Sequence, residues 1–209
     1  VRVGSLCTGY GGIELGLALA GVAVELQWVA EVDPALAVLH GETPNLGDIS
    51  RVRWDEVAPI DLLTAGFPCQ PVSAAGRQLG DADVRWLWPH VRAAVAELQP
   101  THVLIENVRN LVSTKDGRLW AGILDDLAAL GYGVRWLTLG ACHVGAAHHR
   151  HRVFALAEMG GTGVERVEVP SCGTKGGTAL PTPTARDGDG RGEGSPAYWQ
   201  ARGEGRVNG

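Results

Sequence analysis

Short apolar runs alternate with helix-length stretches from Val1 to Met159, and this alternation leaves few architectures open to the chain. A strand, a crossover helix and a further strand build a parallel sheet, because each crossover returns the chain to the same end of the sheet. Val1 to Leu6 reads as a first strand and Ile13 to Ala20 as a helix. Glu25 to Glu31 reads as a second strand, followed by a helix over Pro34 to His40 with proline at a tolerated opening position. Leu46 to Ile49 and Asp61 to Ala65 read as further strands, and Val84 to Leu98 as a longer helix stopped at Pro100. His102 to Glu106 (H-V-L-I-E) reads as a buried strand, and Leu119 to Leu130 as a helix ended by Gly131. Gly133 to Leu139 and Arg152 to Ala157 read as a closing, hairpin-like pair. The expected fold is α/β, with a Rossmann-like, mostly parallel sheet flanked by helices.

Composition changes after Met159. Residues 160–209 hold 13 of the 30 glycines and 4 of the 11 prolines, with few large apolar side chains. Such a segment buries too little surface to offset its chain entropy. The expectation is one domain over 1–159 and an irregular glycine/proline-rich tail over 160–209.

At 209 residues the chain is long enough for one sizeable core. No uninterrupted apolar run is long enough to cross a bilayer, and no cationic start leads into a secretory segment, so no membrane partner is expected. Cys7, Cys69, Cys142 and Cys172 lie far apart and form no C-x-x-C pair, which argues against a disulfide framework or a zinc ribbon. A reducing cytoplasm fits that usage. The net charge of −5 does not mark a nucleic-acid binder, yet 16 of the 18 basic residues are arginine, whose planar fork suits phosphate. A phosphate-binding surface on such a chain has to be local.

Gly66-Phe67-Pro68-Cys69-Gln70-Pro71-Val72-Ser73 follows the expected strand ending at Ala65. Each proline fixes its own φ and restricts the residue before it, so Cys69 sits on a stiff turn at a strand exit. That placement presents a thiol outward, unlike the buried cysteine that acts as a small hydrophobe. A second turn, Ser5-Leu6-Cys7-Thr8-Gly9-Tyr10-Gly11-Gly12, joins the first strand to the first helix. Glycines there let a ligand approach the backbone, and a helix N-terminus favours negative charge. No Gly-Lys-Ser/Thr follows, which excludes a nucleoside-triphosphate cradle of the Walker type. Glu31 closes the second strand some twenty residues later, where nucleoside-binding α/β proteins place a carboxylate on ribose hydroxyls. Asp48 is expected at the end of a third strand, placed to accept from an adenine amino group.

With the glycine turn, Glu31, Asp48 and P-C-Q-P in this order, the chain resembles the DNA cytosine methyltransferases that act on ring carbon 5. Glu106-Asn107-Val108 resembles that family's E-N-V motif, and Arg150-His151-Arg152-Val153-Phe154 its arginine-x-arginine motif. Asp83-Val84-Arg85 looks like a shortened D-x-R segment. The resemblance covers residues 3–158 and implies the fold of S-adenosylmethionine-dependent methyltransferases. It implies that Cys69 adds as a thiolate to carbon 6 of the base, that Glu106 holds or donates a proton at ring nitrogen 3, and that Arg152 contacts the base carbonyl. Arg150 would meet a nearby phosphate or the catalytic loop. For the cofactor, Leu6, Gly9, Gly11 and Gly12 would line the methionine end. Glu31 would bind ribose, Val32 would cover adenine, and Asp48 with Ile49 would recognise its edge. Phe67 and Pro68 would close the pocket, and residues 73–80 would act as a lid. The implied partner is double-stranded DNA with the target cytosine flipped out of the stack. The implied setting is bacterial or phage, of the restriction-modification kind.

The chain departs from the family pattern in three places. Histidine replaces the glutamine before the arginine-x-arginine segment, giving Ala147-His148-His149-Arg150-His151-Arg152. With Cys142 and His143 this tract invites a metal reading, but the spacing is irregular and no metal site is expected. No recognition domain is evident after Phe154, and no late G-N-S-V-like segment completes the cofactor pocket. Val1 in place of methionine fits a partial chain or an alternative start. These departures lead to an expectation of weak sequence-specific activity by the 209 residues alone, with a second chain supplying base readout. RNA cytosine methylation is a close variant, and an inactive, partner-dependent cofactor- or DNA-binding fragment is the competing class. A dinucleotide-dependent oxidoreductase would explain Glu31 but not P-C-Q-P or E-N-V.

Overall fold

A computed structural model describes residues 1–68 and 86–170. The chain divides into two compact units. The first comprises Val1–Leu139 and Arg152–Val169; the second includes Gly140–His151 and Pro170. Among the described residues no helix is long and apolar enough to cross a membrane.

Seven strands among these residues form one sheet in the order β2-β1-β3-β4-β6-β5-β7. They are β1 (Arg2–Leu6), β2 (Glu25–Ala30), β3 (Leu62–Ala65), β4 (His102–Val108), β5 (Tyr132–Gly140), β6 (His151–Met159) and β7 (Val164–Arg166). β1 pairs in parallel with β2 and β3, and β3 with β4; β6 runs antiparallel to β4. The mostly parallel α/β sheet expected from the sequence is present. All four residues of β3 are buried, as suits a central strand covered on both faces. β4 instead alternates, with Val103, Ile105 and Asn107 buried and the residues between them half-buried.

The helices start and stop where local chemistry directs. α1 (Gly12–Leu19) opens at Gly11 in the left-handed region, without a side-chain cap. α2 (Pro34–Ala37) is capped by Asp33, whose carboxylate accepts from the Ala35 N–H at 2.8 Å. α3 (Trp88–Leu98) ends at Gln99 with φ of 44°, followed by Pro100. α4 (Arg118–Ala129) buries Leu119, Trp120, Ile123, Leu124 and Leu127, one apolar stripe at helical spacing. In the core of the first unit the indole of Trp28 lies across Gly4. A Cβ built on Gly4 would stand 2.2 Å from that ring, so only glycine lets β2 place tryptophan there.

Three expectations change. Leu46 to Ile49 is not a strand; a single bridge joins Val29 to Asn45. Asn45 Oδ1 accepts from the N–H groups of both Glu31 and Gly47, and Gly47 adopts φ of 71°. Side-chain bonding to the backbone has replaced strand pairing in that segment. Past Met159, where irregular chain was expected, Val164–Arg166 adds an exposed edge strand parallel to β5. Its Arg166 guanidinium covers the Trp136 ring at 5.4 Å. The helix expected from Val84 starts, within the described residues, at Trp88.

Arg2 fixes the start of β1 to the turn before β3. Its backbone N–H and Nε donate to Asp61 Oδ2 at 2.9 and 3.2 Å, and Nη2 donates to Oδ1 at 2.5 Å. The Arg2 side chain, then its backbone N–H, hold the Asp61 carboxyl down to about 2. An unfolded aspartate titrates near about 3.9. The depressed folded value therefore contributes stability above that point, and the contribution is lost as pH falls towards 2. Asp61→Asn is expected to flatten the decline in urea midpoint between about pH 4 and pH 2 relative to the parent chain. Superimposable pH profiles for the two proteins would rule this out.

Candidate functional site

In-register parallel pairing sets four strand ends side by side. Ala30 of β2 pairs with Leu6 of β1, Leu6 with Ala65 of β3, and Ala65 with Ile105 of β4. Glu31, Cys7, Gly66 and Glu106, the next residue of each chain segment, therefore emerge along one edge. The strand order also reverses at β1, and ligands of open α/β sheets bind outside the carboxyl ends of strands at such a reversal.

Left-handed backbone at Cys7, Gly9 and Gly11, with φ of 52°, 57° and 70°, shapes the turn after β1. Glu31 is buried at its floor. Its Oε2 accepts the Gly9 N–H at 2.8 Å and its Oε1 the Asp33 N–H at 2.9 Å. Asn45 holds the Glu31 backbone in both directions, accepting from its N–H and donating to its carbonyl, each at 3.0 Å. His40 Nε2 donates to the Gly9 carbonyl at 2.9 Å. Among the described residues, a Cβ built on Gly9 or Gly12 meets nothing within 4 Å. Val32 is exposed beside Glu31, whereas Leu6 and Ile49 belong to the core. Asp48 Oδ1 accepts from the Ser50 N–H at 2.9 Å and hydroxyl at 2.8 Å, and these bonds hold its carboxyl below the usual range. Burial, then Glu31 and Asp48, push the Cys7 thiol up to about 12. Cys7 is therefore a protonated thiol at neutral pH and a poor nucleophile.

The exit of β3 is held from two sides. Glu14, buried on the first turn of α1, bonds the Thr64 hydroxyl through its Oε1, and the Gly66 N–H donates to the Leu6 carbonyl at 3.2 Å. The buried Phe67 ring packs on Trp86 and Trp88, with centroids 6.0 and 6.2 Å away. Asn107 Nδ2 donates to the Phe67 carbonyl at 3.1 Å, and its Oδ1 accepts the Val108 N–H at 2.8 Å. Pro68 is exposed at the end of this anchored segment. Cys69 lies outside the described residues, as do Arg77 and the Asp83-Val84-Arg85 segment.

Glu106 and Arg152 meet across β4 and β6. Val108 pairs with Arg152 and Glu106 with Phe154, so the two charged residues are diagonal neighbours on one face. Arg152 Nε donates to Glu106 Oε1 at 2.9 Å, with both side chains about three-quarters covered. Glu106 Oε2 also lies 3.9 Å from where a Gly66 Cβ would stand, beside the chain that leads to Cys69. Arg150 belongs to the second unit, where it is exposed with φ of 29°.

Within the first unit, the glycine turn and Glu31 come together, and so do Glu106 and Arg152. Asn107, Asn45 and Glu14 carry the hydrogen bonds that position these groups, and sequence reasoning gave them no role. Asn107 had a signal in its place inside E-N-V; nothing in the local sequence of Asn45 or Glu14 announced their partners.

The family profile described as C-5 cytosine-specific DNA methylase matches residues 1–174. The type II methyltransferase M.NgoBV of Neisseria gonorrhoeae is 36% identical over 170 residues, covering 74% of this chain and 40% of that protein. M.HaeII of Haemophilus aegyptius is 35% identical over 154 residues, covering 72% of this chain and 48% of that one. The chain thus spans less than half the length of these curated relatives. Among solved structures, a Spodoptera frugiperda DNMT2 mutant superposes with a TM-score of 0.63 at 20% identity, covering 82% of this chain and 56% of the other. A putative DNA modification methyltransferase from an Escherichia coli prophage gives 0.62 at 23% identity, covering 76% and 47%. These likenesses establish the fold.

Replacing Asn107 by alanine leaves the Phe67 carbonyl and the Val108 N–H without this partner in a buried setting. The expected loss of stability is about 1–3 kcal/mol, measured by urea denaturation. A loss within about 0.5 kcal/mol, as at an ordinary surface position, would show that the amide does not hold the segment.

Proposed function

Because the chain belongs to the C-5 cytosine-specific DNA methylase family, we propose that it transfers a methyl group from S-adenosylmethionine to carbon 5 of cytosine in DNA, through a covalent adduct on Cys69. The Glu106–Arg152 pair carries this reading: a carboxylate and a guanidinium 2.9 Å apart, on adjacent strands, beside the segment leading to Cys69. Such a pair suits the Watson–Crick edge of a flipped cytosine, with Glu106 on ring nitrogen 3 and Arg152 on the carbonyl.

The residues at the first turn fit the cofactor. The N-terminus of α1 has no side-chain cap, and among the described residues nothing lies within 4 Å of a Cβ built on Gly9 or Gly12, so its backbone donors suit a carboxylate. Glu31 is held by Gly9, Asp33 and Asn45 in a fixed pose at the strand end, where its remaining lone pairs suit ribose hydroxyls. Val32 offers an exposed apolar side chain for the flat adenine ring, with Asp48 and the Ile49 backbone for its edge. Leu6, Gly11 and the Phe67-Pro68 segment complete the wall. Bound there, S-adenosylmethionine supplies an electrophilic methyl group on a sulfonium.

On the DNA side, Cys69 adds as a thiolate to carbon 6, and Glu106 holds a proton at nitrogen 3 as charge moves into the ring. Carbon 5 thereby becomes the nucleophile. After transfer, carbon 5 loses its proton, the carbon–sulfur bond breaks and the thiolate is restored. The Asn107 bond to the Phe67 carbonyl serves this step by fixing the chain two residues before Cys69. Arg150 provides a cation for backbone phosphate.

Two experiments test this reading. Incubated with S-adenosylmethionine and DNA containing 5-fluorocytosine, the chain is expected to form an adduct stable to denaturing electrophoresis, since fluorine cannot leave as a proton. Cys69→Ser should abolish it while DNA binding persists; an adduct that persists in the serine variant would refute the nucleophile. In cofactor titrations without DNA, Glu31→Ala is expected to weaken binding by about 1–3 kcal/mol. Unchanged affinity in the folded variant would make Glu31 a purely structural brace of the Gly9 turn.

A further inference from the structure

The irregular spacing of Cys142, His143 and His151 conceals a spatial cluster in the second unit. One ligand atom of each lies within 4.8 Å of the others, and all three side chains are half-buried. The loop that carries them is closed by its own backbone: the Ala141 N–H donates to the His149 carbonyl at 2.8 Å, bringing the two ends of Gly140–His151 together. Glycine at 140 makes room for the convergence. A Cβ there would stand 3.0 Å from His151 Nε2 and 3.1 Å from Cys142 Sγ, so both donor atoms face the same bare α-carbon.

Hydrogen bonding selects the donor atom of His143. Its Nε2 lies 3.0 Å from the Pro170 carbonyl, and its Nδ1 lies 3.0 Å from the Gly140 N–H and 3.1 Å from the Gly140 carbonyl; a proton on Nε2 satisfies two of these contacts and a proton on Nδ1 only one, so the Nε2–H tautomer is favoured. That leaves the Nδ1 lone pair directed into the loop, 3.0 Å from the Gly140 N–H and 3.8 Å from Cys142 Sγ. A backbone carbonyl on the outer nitrogen is the usual way a metal-ligating imidazole is fixed in tautomer and orientation. For a tetrahedral zinc ion, with Zn–S of about 2.3 Å and Zn–N of about 2.0–2.1 Å, neighbouring sulfur and nitrogen donors are separated by roughly 3.6 Å. The Cys142–His143 separation already approaches that edge.

We propose that Cys142, His143 and His151 form a binding site for a borderline-soft divalent cation, with zinc as the natural occupant. The donors among the described residues are Cys142 Sγ, His143 Nδ1 and His151 Nε2. Binding displaces the thiol proton of Cys142 to solvent and gives up the Gly140 N–H contact to His143. One thiolate with two imidazoles matches zinc and cobalt(II) and disfavours magnesium or calcium, which require oxygen donors. The ion would lock the connection from β5 into β6. The site involves none of the residues assigned to base or cofactor, so its test is independent of the methyl-transfer reading.

The experiment uses the full 209-residue chain without an affinity tag, reduced and anaerobic, titrated with cobalt(II). The expected result is sulfur-to-cobalt charge-transfer absorption with intense tetrahedral ligand-field bands, saturating at one ion per chain and bleached by zinc. Cys142→Ser should lose the charge-transfer absorption, and His143→Ala and His151→Ala should each weaken binding roughly tenfold or more. A second measurement needs no variant: zinc should slow alkylation of Cys142 in the parent chain, followed by peptide mass spectrometry, by roughly tenfold. Absence of the charge-transfer band, its survival in Cys142→Ser, or an alkylation rate indifferent to zinc would each overturn the site.

Discussion

Parallel register is the constraint on which the first unit depends. Leu6, Ala30, Ala65 and Ile105 stand in one row because β2, β1, β3 and β4 pair without offset at their carboxyl ends. Four segments remote in sequence therefore deliver Cys7, Glu31, Gly66 and Glu106 to one edge. A slip of one residue in β4 would exchange its two faces, sending Glu106 into the core and Asn107 away from Phe67. The buried residues of β3 and β4 oppose that slip, since it would expose Val103 and Ile105, both wholly buried in the native register.

Behind that edge the core contains polar groups whose partners are all placed to hold something else. Asn107 holds the Phe67 carbonyl, and Glu14 the hydroxyl of Thr64. Buried amides and carboxyls are costly unless bonded, so each of these positions is fixed by its own need for satisfaction. The result is a rigid scaffold around two groups that face outward, the glycine turn and the Glu106–Arg152 pair. Rigid support of this kind keeps the groups it holds within narrow geometric tolerances.

What could be read from the sequence was whatever is local. The strands from Arg2, Glu25, Leu62 and His102 show as apolar runs, and α1, α3 and α4 as periodic stretches with glycine or proline at their ends. Glu31 and Glu106 were legible because they close such runs. Long-range contacts were not. Nothing near Gly4 foretells the indole lying over it, and the Leu46-Gly47-Asp48-Ile49 segment looks like a strand until Asn45 and Asp48 turn their side chains onto the backbone. Val164–Arg166 was hidden by the glycines around it, since an edge strand so short needs only one neighbour to pair with. Irregular spacing likewise masked Cys142, His143 and His151, which a folded loop brings together and a linear motif does not.

The bare start of α1 has a thermodynamic consequence. A helix that opens at Gly11 with no side-chain cap leaves its first amide dipoles to whatever anion settles over the turn. The same turn, through the Gly9 N–H on Glu31, is tied to the end of β2. Occupancy and folding are therefore linked: a ligand that completes the helix start binds the native chain and not the unfolded one. At a hundredfold excess over its dissociation constant, such a ligand adds about 2.7 kcal/mol to the stability of the domain. For a chain of this size that is a large share of the whole. Supply of such a ligand would then govern how long the folded chain survives.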